Sequence, residues 1–436
     1  MSKTFAVVTL GCKTNQFESA AMVEQLEQSG YRQIDFAQGA ELVVVNTCTV
    51  TAATDTQSRN LIRRAKRMNP ESRIVVTGCY AQIDPQSLSR LPGVSLIIGN
   101  QEKATLLTHL EQQQAEGEIR VADISKRLTA EPLQLTGFNQ RSRAFVQIQN
   151  GCDAFCSYCI IPYARGRSRS VATSEVVEQI AKLSAAGYPE VVLTGIHIGQ
   201  YGLDLMPKTD LLELLRRIEI SGFSGRLRLG SIEPTELSTE LLTYISEAEW
   251  ICPHFHIPLQ SGDDDILKGM NRHYSTEFFA RLLEHIRQLQ PDAAIGLDVI
   301  TGFPGETDLQ FTKTCQYLEC LPFTHLHVFP FSRRSGTPAA EMKGQLPGDI
   351  IKARAAQLRE IGERKLTVYA DRFIGQVLQV VVEGGEMDGL KKGLSQNYLQ
   401  VQLAAGGLEQ GRLLPVEIYA SRSGILSGNL FSGRDC

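Results

Sequence analysis

The chain has 436 residues, 42% apolar and 21% charged, enough for two or three domains with sizeable cores. Its formal net charge of -4 offers no global basic field, so contact with nucleic acid has to come from local patches. No apolar run approaches the ~20 residues of a membrane helix, and the amino terminus lacks a signal-peptide pattern, which predicts a cytoplasmic protein with no membrane partner.

From the amino terminus, apolar runs at 5–10, 42–45, 74–76 and 94–98 alternate with helix-period segments such as 18–28. This alternation predicts a doubly wound parallel sheet, whose strand C-termini share one edge. Residues 110–143, with three consecutive glutamines and scattered charges, read as a tether. Candidate strands then follow at 144–149, 190–193, 226–229, 254–258, 294–300 and 325–329, with five helices between them, among them 174–186 and 277–289. Six β/α units fit a partial (β/α)6 barrel, with its chemistry at the C-terminal strand ends. The last ~70 residues turn to valine-rich alternation broken by glycines, the pattern of a small antiparallel β-barrel, OB-like in character. The fold class is α/β.

Ten cysteines in a chain without secretory targeting read as reduced ligands or core thiols rather than disulfides. The stretch Gly151-Cys152-Asp153-Ala154-Phe155-Cys156-Ser157-Tyr158-Cys159 places three thiolates at C-x3-C-x2-C spacing just after the first barrel strand. Three such ligands suit a 4Fe-4S cluster with one iron left open, able to chelate S-adenosylmethionine. A zinc site is the alternative, but it normally recruits a fourth Cys or His, and none lies nearby. Cys12, Cys48 and Cys79 each follow one of the first three runs, so the sheet topology would bring them to one edge. Three separate buried thiols remain the other reading of that pattern.

Both triads, together with Thr9-Leu10-Gly11-Cys12-Lys13-Thr14-Asn15-Gln16 and Gly302-Phe303-Pro304-Gly305-Glu306-Thr307, resemble the radical S-adenosylmethionine methylthiotransferase family nearly end to end. Segments 193–198, 256–262, 270–274 and 332–337 fit the same pattern. Thr14 and Asp263 are small departures that touch no cluster ligand. Cys252, Cys315, Cys320 and Cys436 match no motif.

The resemblance implies a methylthiotransferase N-terminal domain over residues 1–115, a radical core over 138–365 and an RNA-binding TRAM domain over 366–436. It implies two 4Fe-4S clusters, one on Cys152, Cys156 and Cys159 and one on Cys12, Cys48 and Cys79, with S-adenosylmethionine as cofactor and methyl donor. Electrons and sulfur would come from external donors. Gly195 is expected to hold the cofactor's amino group through backbone, with Tyr158, Gln260 and Asp298 as further cofactor contacts. His254 and His256 read as core histidines. The 302–307 loop lacks the lysine of a P-loop and reads as a tight strand-to-helix turn.

Residues 11–18 look like the branch that thiomethylates N6-threonylcarbamoyladenosine at tRNA position 37, on the ring carbon between the two pyrimidine nitrogens. Lys13 would meet the threonylcarbamoyl carboxylate. Isopentenyl-adenosine tRNA or a ribosomal protein side chain are the alternative substrates, and an iron–sulfur electron-transfer or sulfur-carrier scaffold is the alternative of another class. Candidate contacts to the tRNA anticodon loop are Arg59, Arg63, Arg64, Lys66 and Arg67, and the run Arg165, Arg167 and Arg169. Residues 365–436 hold seven basic and seven acidic residues, so their assignment to RNA rests on resemblance alone.

Overall fold

A computed structural model describes residues 3–130, 133, 135–138 and 141–431. Cys436 lies outside them. The first unit is a six-stranded, all-parallel sheet of β1 (Thr4–Thr9), β2 (Arg32–Gln33), β3 (Leu42–Thr47), β4 (Arg73–Gly78), β5 (Val94–Ile98) and β6 (Glu118–Arg120), in the order β2-β1-β3-β4-β5-β6. Strand order reverses between β1 and β3, the place where open α/β sheets bind their ligands. β3 is buried along its whole length: Val43 and Val45 pack with Ile62 and Val76 on one face, and Val44 packs with Phe5, Met22 and Leu96 on the other. Residues 110–143 are not wholly a tether, because β6 pairs with β5 at the sheet edge. Its three residues, Glu118, Ile119 and Arg120, are too few and too polar to show a strand period.

The central unit is a partial barrel of six parallel strands. β7 (Ala144–Gln147) ends two residues short of the predicted strand, because β8 (Gln149–Asn150) turns away to pair with β9 (Arg169–Ser170). β10 (Glu190–Thr194) and β11 (Arg226–Leu229) complete one three-stranded sheet with β7; β12 (His254–Gln260), β13 (Ala294–Thr301) and β14 (His325–Pro330) form the other. Parallel bridges Leu227 to Ile251 and Ser231 to His256 join the two. The helices Leu211–Ile220, Thr239–Glu247, Thr276–Leu289 and Asp308–Cys320 begin at Asp210, Ser238, Ser275 and Thr307, whose side chains accept from backbone N–H groups of the first turn. In the 302–307 loop the amide of Gly302 donates to the Glu306 carboxylate (2.8 Å), and Glu306 pairs with Arg354 (2.6 Å). The turn is thus closed by the chain's own carboxylate.

The helix Gly348–Asp371 leads into a closed barrel of β15 (Val377–Met387), β16 (Leu390–Ser395), β17 (Gln400–Ala404), β18 (Leu413–Arg422) and β19 (Ile425–Leu430). Its order is β15-β16-β17-β19-β18, with β17 and β19 parallel and the other pairs antiparallel. The barrel docks on the N-terminal ends of the central strands. Arg226 and Arg228 donate to the backbone carbonyls of Gln379, Leu394, Ser395 and Gln396, while Glu190 pairs with both guanidiniums. Tyr398 inserts between His254 (ring centroids 4.3 Å apart) and His325 (5.8 Å). The first sheet meets the barrel's other end, where Arg334 bonds to Thr49 and Asp55, and Ser332 accepts from the amide of Ala52. No helix is long and apolar enough to cross a membrane among the described residues.

Candidate active site

Cys12, Cys48 and Cys79 follow β1, β3 and β4, three adjacent parallel strands, and so stand on one edge of the sheet at its switch point. Cys12 caps the helix Lys13–Gln28, and Cys79 opens the helix Cys79–Ile83. Gly11 sits at φ 96°, and a Cβ there would lie 2.9 Å from the Cys48 sulfur; only glycine lets the backbone pass. Burial, with Cys79 and Cys12 adding to it, pushes the Cys48 thiol up to about 11. The Cys79 sulfur accepts from Arg165 Nε at 3.3 Å.

In the second triad, the Cys152 sulfur lies 3.4 Å from His197 Nδ1, and His197 Nε2 pairs with Glu236 at 2.7 Å. Although burial opposes it, the hydrogen bonds to Cys152 and Glu236 raise His197 to about 10. Cys156 accepts from Arg272 Nη1 (3.3 Å), which in turn pairs with Glu233. Burial and the neighbouring Cys156 push the Cys159 thiol up to about 12. Cationic or imidazole groups aimed at the Cys79, Cys152 and Cys156 sulfurs, with Cys48 and Cys159 buried beside them, form donor sets suited to the metal charge that an iron–sulfur cluster would provide. Among the described residues His256, Asp298 and His327 are the group of three whose ligand atoms lie within 4.8 Å of one another; neither cysteine triad is so compact. A single tetrahedral zinc would draw its sulfurs to about 3.8 Å apart.

A cavity of about 220 Å³ lies at the C-terminal strand ends, lined by Tyr158, Cys159, Gln260 and Asp298 and, from the first unit, by Val50 and Thr51. It brings the neighbourhood of Cys159 against the loop that follows Cys48. Gln260 adopts φ 67° at an irregularity in β12, and its Oε1 makes no hydrogen bond. Asp298 Oδ1 takes hydrogen bonds from His256 Nε2 (2.8 Å) and His327 Nδ1 (3.2 Å); these hold its carboxyl well below the usual range against the opposing effect of burial. His256 thus stands behind a cavity-lining carboxylate, hydrogen-bonded and partly buried. His254 is buried against Tyr398, as a core histidine should be.

Gly195 follows β10 outside the cavity lining, and a Cβ there would meet the Gln149 carbonyl at 2.9 Å. Gln149 also accepts from the amides of Ile196 and His197, so local packing already demands a glycine. Lys13 also lies outside the cavity lining, partly buried with Nζ 6.0 Å from the Tyr398 ring centroid; burial, then Arg228 and Arg143, lower it to about 8. Of the candidate RNA contacts, Arg63, Arg64 and Arg67 are exposed on the helix Ala52–Met68. Arg165 and Arg169 are not surface residues: both are buried, Arg165 on Glu18, Asn15 and Cys79, and Arg169 on the carbonyls of Arg167 and Arg165. Arg167 alone of that run is exposed, paired with Asp153 at 2.8 Å. His197 and Arg272, which touch cluster cysteines, lie inside the segments 193–198 and 270–274 that carry the family resemblance, where pattern alone gave them no role.

Comparison with known proteins agrees with this geometry. Residues 4–99 match the uncharacterized protein family UPF0004, and 146–318 match the radical SAM superfamily. Threonylcarbamoyladenosine tRNA methylthiotransferase MtaB of Bacillus subtilis is 38% identical over 423 residues, 95% of this chain and 93% of the relative. The chain belongs to the radical S-adenosylmethionine methylthiotransferase family. A second relative, tRNA-2-methylthio-N(6)-dimethylallyladenosine synthase of Desulfitobacterium hafniense, is 32% identical over 439 residues, 98% of each chain. The radical S-adenosylmethionine methyltransferase TsrM from Kitasatospora setae superposes with a TM-score of 0.56 at 18% identity, over 78% of this chain and 77% of that one, and so shares its fold. Membership of this methylthiotransferase family implies S-adenosylmethionine and a 4Fe-4S cluster.

Proposed function

We propose that this methylthiotransferase acts on tRNA, placing a methylthio group on the C2 ring carbon of N6-threonylcarbamoyladenosine at position 37. The observation that carries the reading is the shared cavity: Cys159 of one triad and the Val50–Thr51 turn after Cys48 of the other line one space. The greater identity to the threonylcarbamoyl relative (38%) than to the dimethylallyl relative (32%) favours that substrate branch.

Cys152, Cys156 and Cys159 would hold the radical cluster, and Cys12, Cys48 and Cys79 a second 4Fe-4S cluster that carries the sulfur. Bound there, cluster and S-adenosylmethionine supply a carbon radical able to take hydrogen from an unactivated C–H bond, which side-chain acids and bases cannot do. Tyr158, Gln260 and Asp298 would line the cofactor's seat, with Gly195 offering backbone to its amino end. Lys13, whose nearest cations press on it, would meet the substrate carboxylate and gain a counter-ion. An unpaired anticodon-loop base enters such a cavity at modest cost. The divisions 1–115, 138–365 and 366–436 are proposed as domains, the last starting inside the helix Gly348–Asp371 and serving as the RNA-binding TRAM unit. The exposed Arg63, Arg64 and Arg67 would approach the tRNA, in the cytoplasm, with electrons and sulfur supplied from outside.

The test is mass spectrometry of nucleosides after reaction with tRNA that bears or lacks the threonylcarbamoyl group. Product is expected from the modified tRNA alone, and Lys13→Ala should raise KM for it roughly tenfold or more, about 1.4 kcal/mol, with cofactor cleavage retained. Equal product from both tRNAs, or product only on isopentenyl-adenosine tRNA or a ribosomal protein, would overturn the assignment.

A further inference from the structure

Arg165 has no exposed surface, yet it belongs to neither cysteine triad by sequence. It ends the short helix Ile161–Arg165, which begins two residues after Cys159, and its guanidinium reaches the edge of the first sheet. All five of its N–H donors are matched. Nε donates to the Cys79 sulfur at 3.3 Å; Nη1 pairs with Glu18 and faces Asn150 Oδ1 at 3.3 Å; Nη2 bonds to Asn15 Oδ1 and to Glu18 Oε2 at 3.1 Å. Asn15 and Glu18 lie on the helix that Cys12 caps.

Charge balance sharpens the point. Glu18 is shared between Arg165 and the equally buried Lys103, which leaves two cations against one carboxylate. A surplus cation sealed from water is costly unless a negative group joins it. Cys79, as a cluster ligand, is the further group in contact with Arg165 that would bring negative charge.

We propose that Arg165 is a positioning residue that ties the sulfur-bearing site to the radical triad and raises the reduction potential of the cluster on Cys12, Cys48 and Cys79. The proposal rests on the second-cluster reading given above. A guanidinium hydrogen-bonded to a ligating sulfur stabilises the reduced, more negative cluster, and burial strengthens the effect. The same arrangement recurs at the radical triad, where Arg272 faces Cys156 with Glu233 behind it, and His197 faces Cys152 with Glu236 behind it. Arg165 differs in that one chain segment carries both its link to Cys159 and its bond to Cys79.

The experiment is an EPR-monitored redox titration of the full chain, reconstituted anaerobically with Cys152, Cys156 and Cys159 all changed to alanine, so that one cluster gives the signal. With Arg165 intact this protein should hold about four irons. Arg165→Gln should shift the midpoint to lower potential, and Arg165→Lys should restore part of the shift. Identical midpoints in all three proteins would overturn the role of Arg165 and leave the second cluster standing. If Arg165→Gln retains no iron, the lysine variant against the parent decides by the same shift. Absence of iron with Arg165 intact would instead remove the second cluster, and this inference with it.

Discussion

Gln260 holds a left-handed backbone, φ 67°, that a side-chain-bearing residue adopts at a cost of about 1–3 kcal/mol. The strain aims an amide with an unbonded Oε1 into the cavity beside Cys159 and Asp298. Gln260→Gly should relieve the strain while adding unfolded-state entropy, so stability should hold within about 1 kcal/mol. Cofactor affinity should fall roughly tenfold, the worth of a lost hydrogen bond. Denaturant melts and calorimetric titration of S-adenosylmethionine into reconstituted protein measure the two, and unchanged affinity would remove Gln260 from the cofactor's seat. Residues differed in how far sequence revealed them. Cys152, Cys156 and Cys159 are legible because a cluster's reach fixes their spacing along one short loop. Arg165 reads in sequence as a candidate RNA contact because the partner that buries it, Glu18, lies 147 positions away.

At the scale of elements, the parallel strands were legible wherever apolar runs fill both faces, as in β3 and β5. The two-residue β2 and the polar β6 were not, since edge strands need no such run. β11 shows a subtler case. Its alternating Arg226 and Arg228 suggest a face open to water, but the terminal barrel covers that face and Glu190 of β10 pairs with both guanidiniums. Burial opposes ionisation of Glu190, yet Arg228 and Arg226 draw its carboxyl down to about 2 from an ordinary 4.5. A folded-state value below the unfolded one gives stability that is fully present above pH 4.5 and lost as pH falls through 2. About 2 kcal/mol should therefore be lost by pH 3 at ~1.4 kcal/mol per unit. Glu190→Gln should remove that segment of the pH profile and cost about 3–5 kcal/mol at neutral pH, because two buried guanidiniums lose their counter-ion. Urea midpoints from pH 6 to pH 3 check both, and parallel profiles for the two proteins would show that Glu190 is not the titrating group.

For the whole molecule, three units were legible from changes in period along the chain, but not the way the first sheet lies against the partial barrel. That contact depends on pairs such as Arg334 with Asp55, 279 positions apart, which no local pattern encodes. On the proposed function it would also divide the labour. Replacing Cys12, Cys48 and Cys79 by alanine should reduce bound iron from about eight to about four. Reductive cleavage of S-adenosylmethionine should persist while thiolated nucleoside disappears; iron analysis with product chromatography reads both, and normal product from this variant would refute a sulfur-carrying first unit. Tyr398 has a consequence of its own. Seated between His254 and His325, with Arg228 and Lys13 over its ring, it makes the last unit the stopper of the central barrel. Such a unit is not an interchangeable attachment: a transplant from a distant relative would have to bring a matching ring and matching carbonyls, or leave two guanidiniums and two imidazoles uncovered. Its outer surface is free of that constraint, whereas its inner face is bound to change only in step with the strands it closes.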